Sequence, residues 1–347
     1  MQEDRVEKRR KNLFTSKIEF LTESERCQMK RILRGVAVFL LLQLLVFSVF
    51  SVLRTIRDSQ NYWGASIDKH QRLIETPPPR LILVGGSGVA LGIDSEVLEQ
   101  ISGYHPINMS LAAGLGPDFM LREVVADLKE GDLVVVILSY GALLRNTENR
   151  CILGLLHSNP AAIRYVSSPL DIVFMYLTEL PNELRNSVGS VWKSLTELLG
   201  LRTFTHGELR WRRSSFNRYG DVVYSREHSP EMVVEFHELP EPSEGYPEKT
   251  IDLLNDFHAT CNSLGAVAVW SYAAVPDSTY NLNRGIIENL HQQLSANLMM
   301  DMIDDPSEVV MPFHFFSDTH YHLTREGAAI RSRILAKHIL RWRLVQE

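Results

Sequence analysis

Leu81-Ile82-Leu83-Val84-Gly85-Gly86-Ser87-Gly88 is the stretch on which the fold of this chain turns. A short apolar run rich in β-formers ends in three glycines that surround one serine. A run of that length, bounded by turn residues, predicts a buried strand. The glycines permit a sharp turn and close backbone approach directly after it. Ser87 then stands at a strand exit, where α/β sheets commonly hold a nucleophile. A Gly-rich connecting turn with an incidental serine fits the same residues, so the stretch needs a partner elsewhere in the chain.

Working outward, Pro77-Pro78-Pro79 breaks what precedes and delivers an extended chain into this strand. Ser95–Ile101 then reads as a helix, Pro106–Leu111 as a second strand, and Pro117–Lys129 as a helix with proline in its first turn. Asp132–Ser139 is the clearest buried strand. This β–α–β–α–β order predicts an α/β fold, a three-layer sandwich with a parallel sheet covered by helices. The order pauses over about 150–250. Residues 151–201 read as mostly helical, with Ile172, Val173, Phe174, Tyr176 and Leu177 either packing on the core or lying on a membrane surface. Residues 202–248 are loop-rich, and Arg210, Arg212, Arg213 and Arg218 fall near Trp211, Phe216 and Tyr219. A solvated face explains these arginines, and so does an anionic glycan or lipid head group. The pattern resumes with a helix from Thr250 through Cys261, a strand at Ala266–Tyr272, a helix over about Asn283–Met300 and a short last strand at Val309-Val310-Met311. A loop over Phe313–Leu323 leads into a closing helix, Thr324–Leu344, with Thr324 as its cap and Glu326 in its first turn.

Composition narrows the function classes. The 347 residues carry a net charge of −6, and no basic domain emerges, which argues against a nucleic-acid partner. Cys27, Cys151 and Cys261 form no metal-ligand spacing and no disulfide framework. Whether Cys151 and Cys261 pair stays open, because an oxidising compartment permits a bond without bringing two thiols together. Residues 1–34 are polar and include the basic cluster Lys8-Arg9-Arg10-Lys11, whereas 35–53 has no charged residue. A charge-free run of that length predicts one transmembrane helix, for which about 20 mostly apolar residues suffice. The long charged segment ahead of it argues against a cleaved signal peptide, and the lack of a polar stripe against a buried soluble helix. The basic N-terminal flank favours a cytoplasmic N-terminus in the cytoplasmic (inner) membrane and a large extracytoplasmic domain. Residues 54–78 then form a membrane-proximal stalk, and 79–347 the α/β domain, with the insertion at about 150–250.

The partner that Ser87 needs is in the late loop Phe316-Ser317-Asp318-Thr319-His320-Tyr321-His322-Leu323. A serine hydroxyl becomes a nucleophile when a base takes its proton, and a histidine does so best when an acid fixes its tautomer. In a parallel sheet an early strand-end serine and a late Asp/His loop can converge at the carboxyl edge. A solvated polar connection is the plain alternative for the loop.

Together these blocks resemble the SGNH (GDSL-like) hydrolase superfamily, from about Pro79 to Ile339 with 150–250 poorly matched. The first block matches at Gly86-Ser87, the second at Asn108-Met-Ser-Leu-Ala-Ala-Gly114, and the last at Asp318 through His322-Leu-Thr-Arg-Glu-Gly327. The resemblance implies a flavodoxin-like sheet with Ser87 as nucleophile, His322 as general base and Asp318 as its orienting acid. The amides of Ser87 and Gly114 would bind the oxyanion, at about 3 kcal/mol per donor. Three departures accompany it. Gly86 stands where an aspartate commonly precedes the serine. Asp318 lies four residues before His322 rather than three, which makes His320 an alternative base. Ser139-Tyr140-Gly141 stands where a Gly-x-Asn-Asp motif is usual, leaving Asn146 as a candidate for the missing donor.

An anchor followed by such a domain resembles proteins that modify cell-envelope polymers, often beside a multi-spanning acyltransferase. The resemblance implies a membrane-anchored serine esterase or O-acyltransferase acting on an envelope or exported polysaccharide, with no metal or organic cofactor. A catalytically silent scaffold that binds glycan or an assembly partner is the alternative.

Overall fold

A computed structural model of the chain describes residues 23–147, 150–179, 196, 201, 210–223 and 236–347. The basic cluster at 8–11 and much of the 150–250 insertion lie outside the described residues. The chain divides into two units, Met1–Leu53 and Arg54–Glu347. Helix α1 runs Glu23–Asp58, with Glu23 and Glu25 in its first turn and Arg57 in its last, the order that the helix dipole favours. Over the described residues no helix is long and apolar enough to cross a membrane; the side chains at 47, 50, 51, 53, 54 and 56 are not among them.

In the second unit the chain runs through helix α2 (Ala65–Glu75), strand β1 (Arg80–Gly85), the short helix α3 (Ser87–Ala90) and α4 (Ser95–Ser102). Next come β2 (His105–Asn108), α5 (Pro117–Val125), β3 (Leu133–Ile137), α6 (Tyr140–Leu144) and α7 (Ile152–Ser158). Beyond the insertion follow α8 (Glu248–Ser263), β4 (Val267–Trp270), β5 (Val275–Pro276), α9 (Asp277–Leu282), α10 (Arg284–Asn297), β6 (Asp301–Met302), β7 (Val310–Met311) and α11 (Arg325–Gln346).

Five strands form one parallel sheet in the order β2-β1-β3-β4-β6. Side chains alternate along each strand and so feed two separate cores. Leu81, Leu83, Leu133 and Val135 face one side and pack with Leu98 of α4 and Leu335 and Ile339 of α11. Ile82, Val84, Val134 and Val136 face the other and pack with Phe119 of α5, Leu254 of α8 and Leu290 of α10. Helices therefore cover both faces, and the unit is a three-layer α/β sandwich. Each of these buried side chains contributes about 1.5–3 kcal/mol through removal from water.

A buried ion pair aligns the central strands. Arg80 Nε donates to Asp132 Oδ1 at 2.7 Å at the entry ends of β1 and β3, and both side chains are fully buried. The remaining guanidinium donors reach Leu73 O and Asp127 O, and Lys129 N donates to Asp132 Oδ2, so neither charge is left unsatisfied. At the other end of the same pairing, Gly85 sits opposite Ile137.

Of the sequence expectations, one gains detail, one changes and one open question is answered. The segment expected as a membrane-proximal helix or stalk contains helix α2, whose Ser66, Lys69, His70 and Leu73 are buried in the second unit. The expected last strand, Val309-Val310-Met311, is outside the main sheet: β7 pairs with β5 in a two-stranded ribbon. The main sheet instead ends on β6, where just two residues, Asp301-Met302, offer no apolar run to detect. Cys151 and Cys261 are free thiols, and Cys261 is buried.

From the insertion, residues 210–223 form a strap across the carboxyl end of the unit. Tyr62 N donates to Trp211 O and Val222 N to Ala90 O. Asp221 is fully buried and accepts from Ser95 N, Ser95 Oγ and Asn108 Nδ2 at 2.7–2.9 Å. Lys69 Nζ, also buried, donates to the carbonyls of Asn108 and Gly220. Asp221→Ala removes the acceptor of Ser95 N and Ser95 Oγ and one of the two acceptors of Asn108 Nδ2, and we expect a loss of about 2–4 kcal/mol in urea denaturation.

Candidate active site

The site forms at the carboxyl edge where strand order reverses, with β2 on one side of β1 and β3 on the other. There β1 ends at Gly85, and Gly86 takes an extended conformation as the residue before α3. A Cβ on Gly86 would stand 2.8 Å from Ala113 N and 3.0 Å from Ala113 Cα, so only glycine lets these two segments touch. Ser87 is the first residue of α3, and helix geometry leaves its amide without an intrahelical acceptor.

His322 arrives from the loop before α11. Its Nε2 lies 2.9 Å from Ser87 Oγ, and its Nδ1 lies 2.9 Å from Asp318 Oδ1. The four-residue spacing of the acid and the base is absorbed by a closed turn. Ser317 N donates to His322 O at 2.7 Å, Thr319 Oγ1 accepts from Tyr321 N and His322 N, and Phe316 bridges Leu323. The helix beyond begins at the expected cap, with Thr324 Oγ1 accepting from Gly327 N at 3.1 Å.

A fourth side chain joins from the strap. Arg210 Nη1 donates to Asp318 Oδ2 at 2.6 Å, and Ser317 Oγ donates to Asp318 Oδ1 at 3.0 Å. Burial raises the Asp318 pKa, but the His322 hydrogen bond and charge, the Arg210 charge and the Ser317 hydroxyl outweigh it and hold it at about 2. The acid is thus ionised wherever a histidine base is neutral. Sequence reasoning saw Arg210 only as one of four arginines, since nothing local ties it to a carboxylate 108 residues away.

His320, the alternative base, lies elsewhere. Its ring stacks on His237 with centroids 3.6 Å apart and planes at 15°. Burial, followed by the charges of His237 and His322, lowers its pKa to about 3, too weak a base for work near neutrality.

The oxyanion candidates divide differently. Ala113 lines the cavity beside Ser87, whereas Gly114 packs toward Cys151 and its carbonyl accepts from Cys151 N at 3.0 Å. Asn146 is exposed, and its carbonyl accepts from Arg150. Ser139, at the end of β3, lines the Ser87 cavity in the place where the sequence lacks an asparagine.

Ser87 lies between two cavities. The smaller, about 110 Å³, is walled by Val89, Ile93, Ile137, Ala273, Leu323 and Arg331 among others. The larger, about 330 Å³, is walled by Tyr62, Trp63, Leu111, Ala112, Cys151 and Trp211 together with Asn61. Among the described residues no cluster of three or more His, Cys, Asp or Glu side chains is placed to hold a metal ion. Comparison with protein-family models, with curated proteins and with solved structures finds no match to this chain.

Chemically, the arrangement can take a proton from Ser87 Oγ and hold the resulting imidazolium against a carboxylate. Asp318 has a folded-state pKa of about 2 against an ordinary 3.8, so its stabilisation is complete above 3.8 and is lost as pH falls through about 2. Asp318→Asn should therefore be less stable than wild type at neutral pH, with the difference in thermal midpoint closing across that window.

Proposed function

We propose that the second unit is an SGNH-like serine esterase or O-acyltransferase with a flavodoxin-like sheet, acting on an envelope or exported polysaccharide. The observation that carries this reading is the chain Ser87 Oγ, His322 Nε2, His322 Nδ1, Asp318 Oδ1, with 2.9 Å at each contact between residues. The charge-free run 35–53 supports a single anchor in the cytoplasmic membrane, with the N-terminus inside and the catalytic unit outside. A multi-spanning acyl-transfer protein in the same membrane is the partner that such an anchor would serve.

In the proposed reaction, Ser87 Oγ attacks the carbonyl carbon of an ester while His322 Nε2 takes its proton. The tetrahedral intermediate collapses, the bond to the leaving alkoxide breaks, and His322 returns the proton to that oxygen. A sugar hydroxyl then attacks the acyl-Ser87 carbonyl and gives its proton to His322. Ser87 Oγ departs and recovers that proton. Water in the sugar's place makes the same cycle a hydrolysis. The Ser87 amide supplies one oxyanion donor at the head of α3, and the backbone of Ala113 lies against the same turn.

The larger cavity supports a carbohydrate acceptor. Tyr62, Trp63 and Trp211 offer aromatic faces beside Ser87, and Trp211 is 44% exposed. Such rings present broad apolar surface with a polar edge, which suits the C–H faces and hydroxyl rims of a sugar. The exposed position of Asn146 favours a second reading, a silent glycan-binding scaffold without a side-chain oxyanion donor.

Ser87→Ala should abolish ester cleavage and covalent labelling by a fluorophosphonate, read by mass spectrometry of the intact chain. Retained labelling of that variant removes Ser87 as nucleophile, and complementation by it supports the scaffold. Trp211→Ala should lower acyl transfer to an oligosaccharide by about tenfold relative to hydrolysis, the loss expected for about 1.4 kcal/mol of stacking.

A further inference from the structure

The smaller cavity beside Ser87 has a charged group in an otherwise largely apolar wall. Arg331, from α11, is one of the residues that line it and is 2% exposed. Its Nη2 donates to Ser271 Oγ at 2.7 Å and Tyr272 O at 3.0 Å, and stands 3.4 Å from Asp304 Oδ2. Its Nη1 is buried and has no acceptor among the described residues.

Asp304 does not satisfy that nitrogen. Its Oδ1 accepts from Tyr272 N at 2.9 Å and its Oδ2 from the Ser271 hydroxyl at 2.5 Å. The hydroxyl of Tyr321, another residue lining the cavity, is likewise buried with no partner among the described residues. A buried donor left unsatisfied costs about 1–3 kcal/mol, and more when charged. Such a group calls for an explanation, and an acceptor brought from outside is one.

The dimensions suit a short acyl chain. Ser87 follows β1, Ser271 and Tyr272 follow β4, and only β3 lies between those strands. Two strand spacings are about 10 Å. A chain of about four carbons with a hydrogen bond of about 3 Å at its end covers much of that span. An acetyl group bonded to Ser87 would end well short of the guanidinium.

We propose that this cavity receives the acyl part of the substrate and that Arg331 Nη1 binds a carboxylate at its far end. The preferred donor is then a half-ester of a short dicarboxylic acid, of the succinyl class. This rests on Ser87 being the nucleophile, and it adds the chemical class of what is transferred. A guanidinium–carboxylate hydrogen bond is shorter and stronger than a neutral one, which makes the terminal charge the discriminating feature.

The test compares nitrophenyl acetate with nitrophenyl hemisuccinate on the purified full chain. In each, Ser87 Oγ bonds the acyl carbon as nitrophenolate leaves, and water then releases the acid and restores the hydroxyl. Wild type should favour the hemisuccinate by about tenfold or more in kcat/KM, the worth of one hydrogen bond to a charged group. Arg331→Lys and the charge-balanced pair Arg331→Met with Asp304→Asn should reduce that ratio toward one. Wild type alone gives a second measurement: free succinate should slow fluorophosphonate labelling of Ser87 at concentrations where acetate does not. Equal or faster cleavage of the acetate ester, or equal protection by the two acids, overturns the proposal while leaving the serine mechanism intact. Absence of nitrophenolate release from both esters, with no labelling of Ser87, overturns the serine mechanism and this proposal together.

Discussion

The buried pair Arg80–Asp132 is the constraint from which the rest of the second unit follows. It lies at the entry ends of β1 and β3, and every one of its charged atoms has a partner. Isolated burial of either charge would cost several kcal/mol, so the two strands are held in one register. A slip of one residue would send Leu81 and Leu83 to the wrong core and turn the strand exit the other way. What Arg80 and Asp132 fix at one edge of the sheet is therefore felt at the other, where Gly85, Gly86 and Ser87 leave the strand.

From that register the site assembles with little further freedom. Gly86 brings the Ala113 backbone against the serine turn. The Ser317–His322 turn, closed by its own backbone bond and by Thr319, sets both ring nitrogens of His322 at 2.9 Å from their partners. Arg210 completes the line, and in doing so sets a balance. After the His322 hydrogen bond and charge, its charge adds to what keeps Asp318 ionised, and it also draws on the carboxylate charge that would otherwise stabilise the imidazolium.

Much of this was legible in the sequence, for identifiable reasons. The strands β1 and β3 are continuous apolar runs because both faces are covered, and such runs stand out. Ser87, Asp318 and His322 were legible because each sits in a short local pattern. β6 was not, since two residues with one polar side chain carry no periodic signal. Val309–Met311 misled because an apolar triplet reads alike in a main sheet and in a side ribbon. Arg210 and Arg331 were hidden for a different reason. Their roles depend on tertiary contacts across 108 and about 60 residues, and no local pattern encodes such contacts. The oxyanion donors fared least well, because backbone amides leave no mark in composition.

The strap over 210–223 has one more consequence. It carries both Arg210, which neutralises the acid, and Trp211, which walls the larger cavity. On the proposed function, adjacent positions thus serve the reaction centre and the recognition surface. A lineage of this chain could not exchange its acceptor preference by swapping the strap without also inheriting or losing the acid's counter-ion. Substrate range and catalytic competence would in that case be a linked trait, and divergence in one should leave its trace in the other.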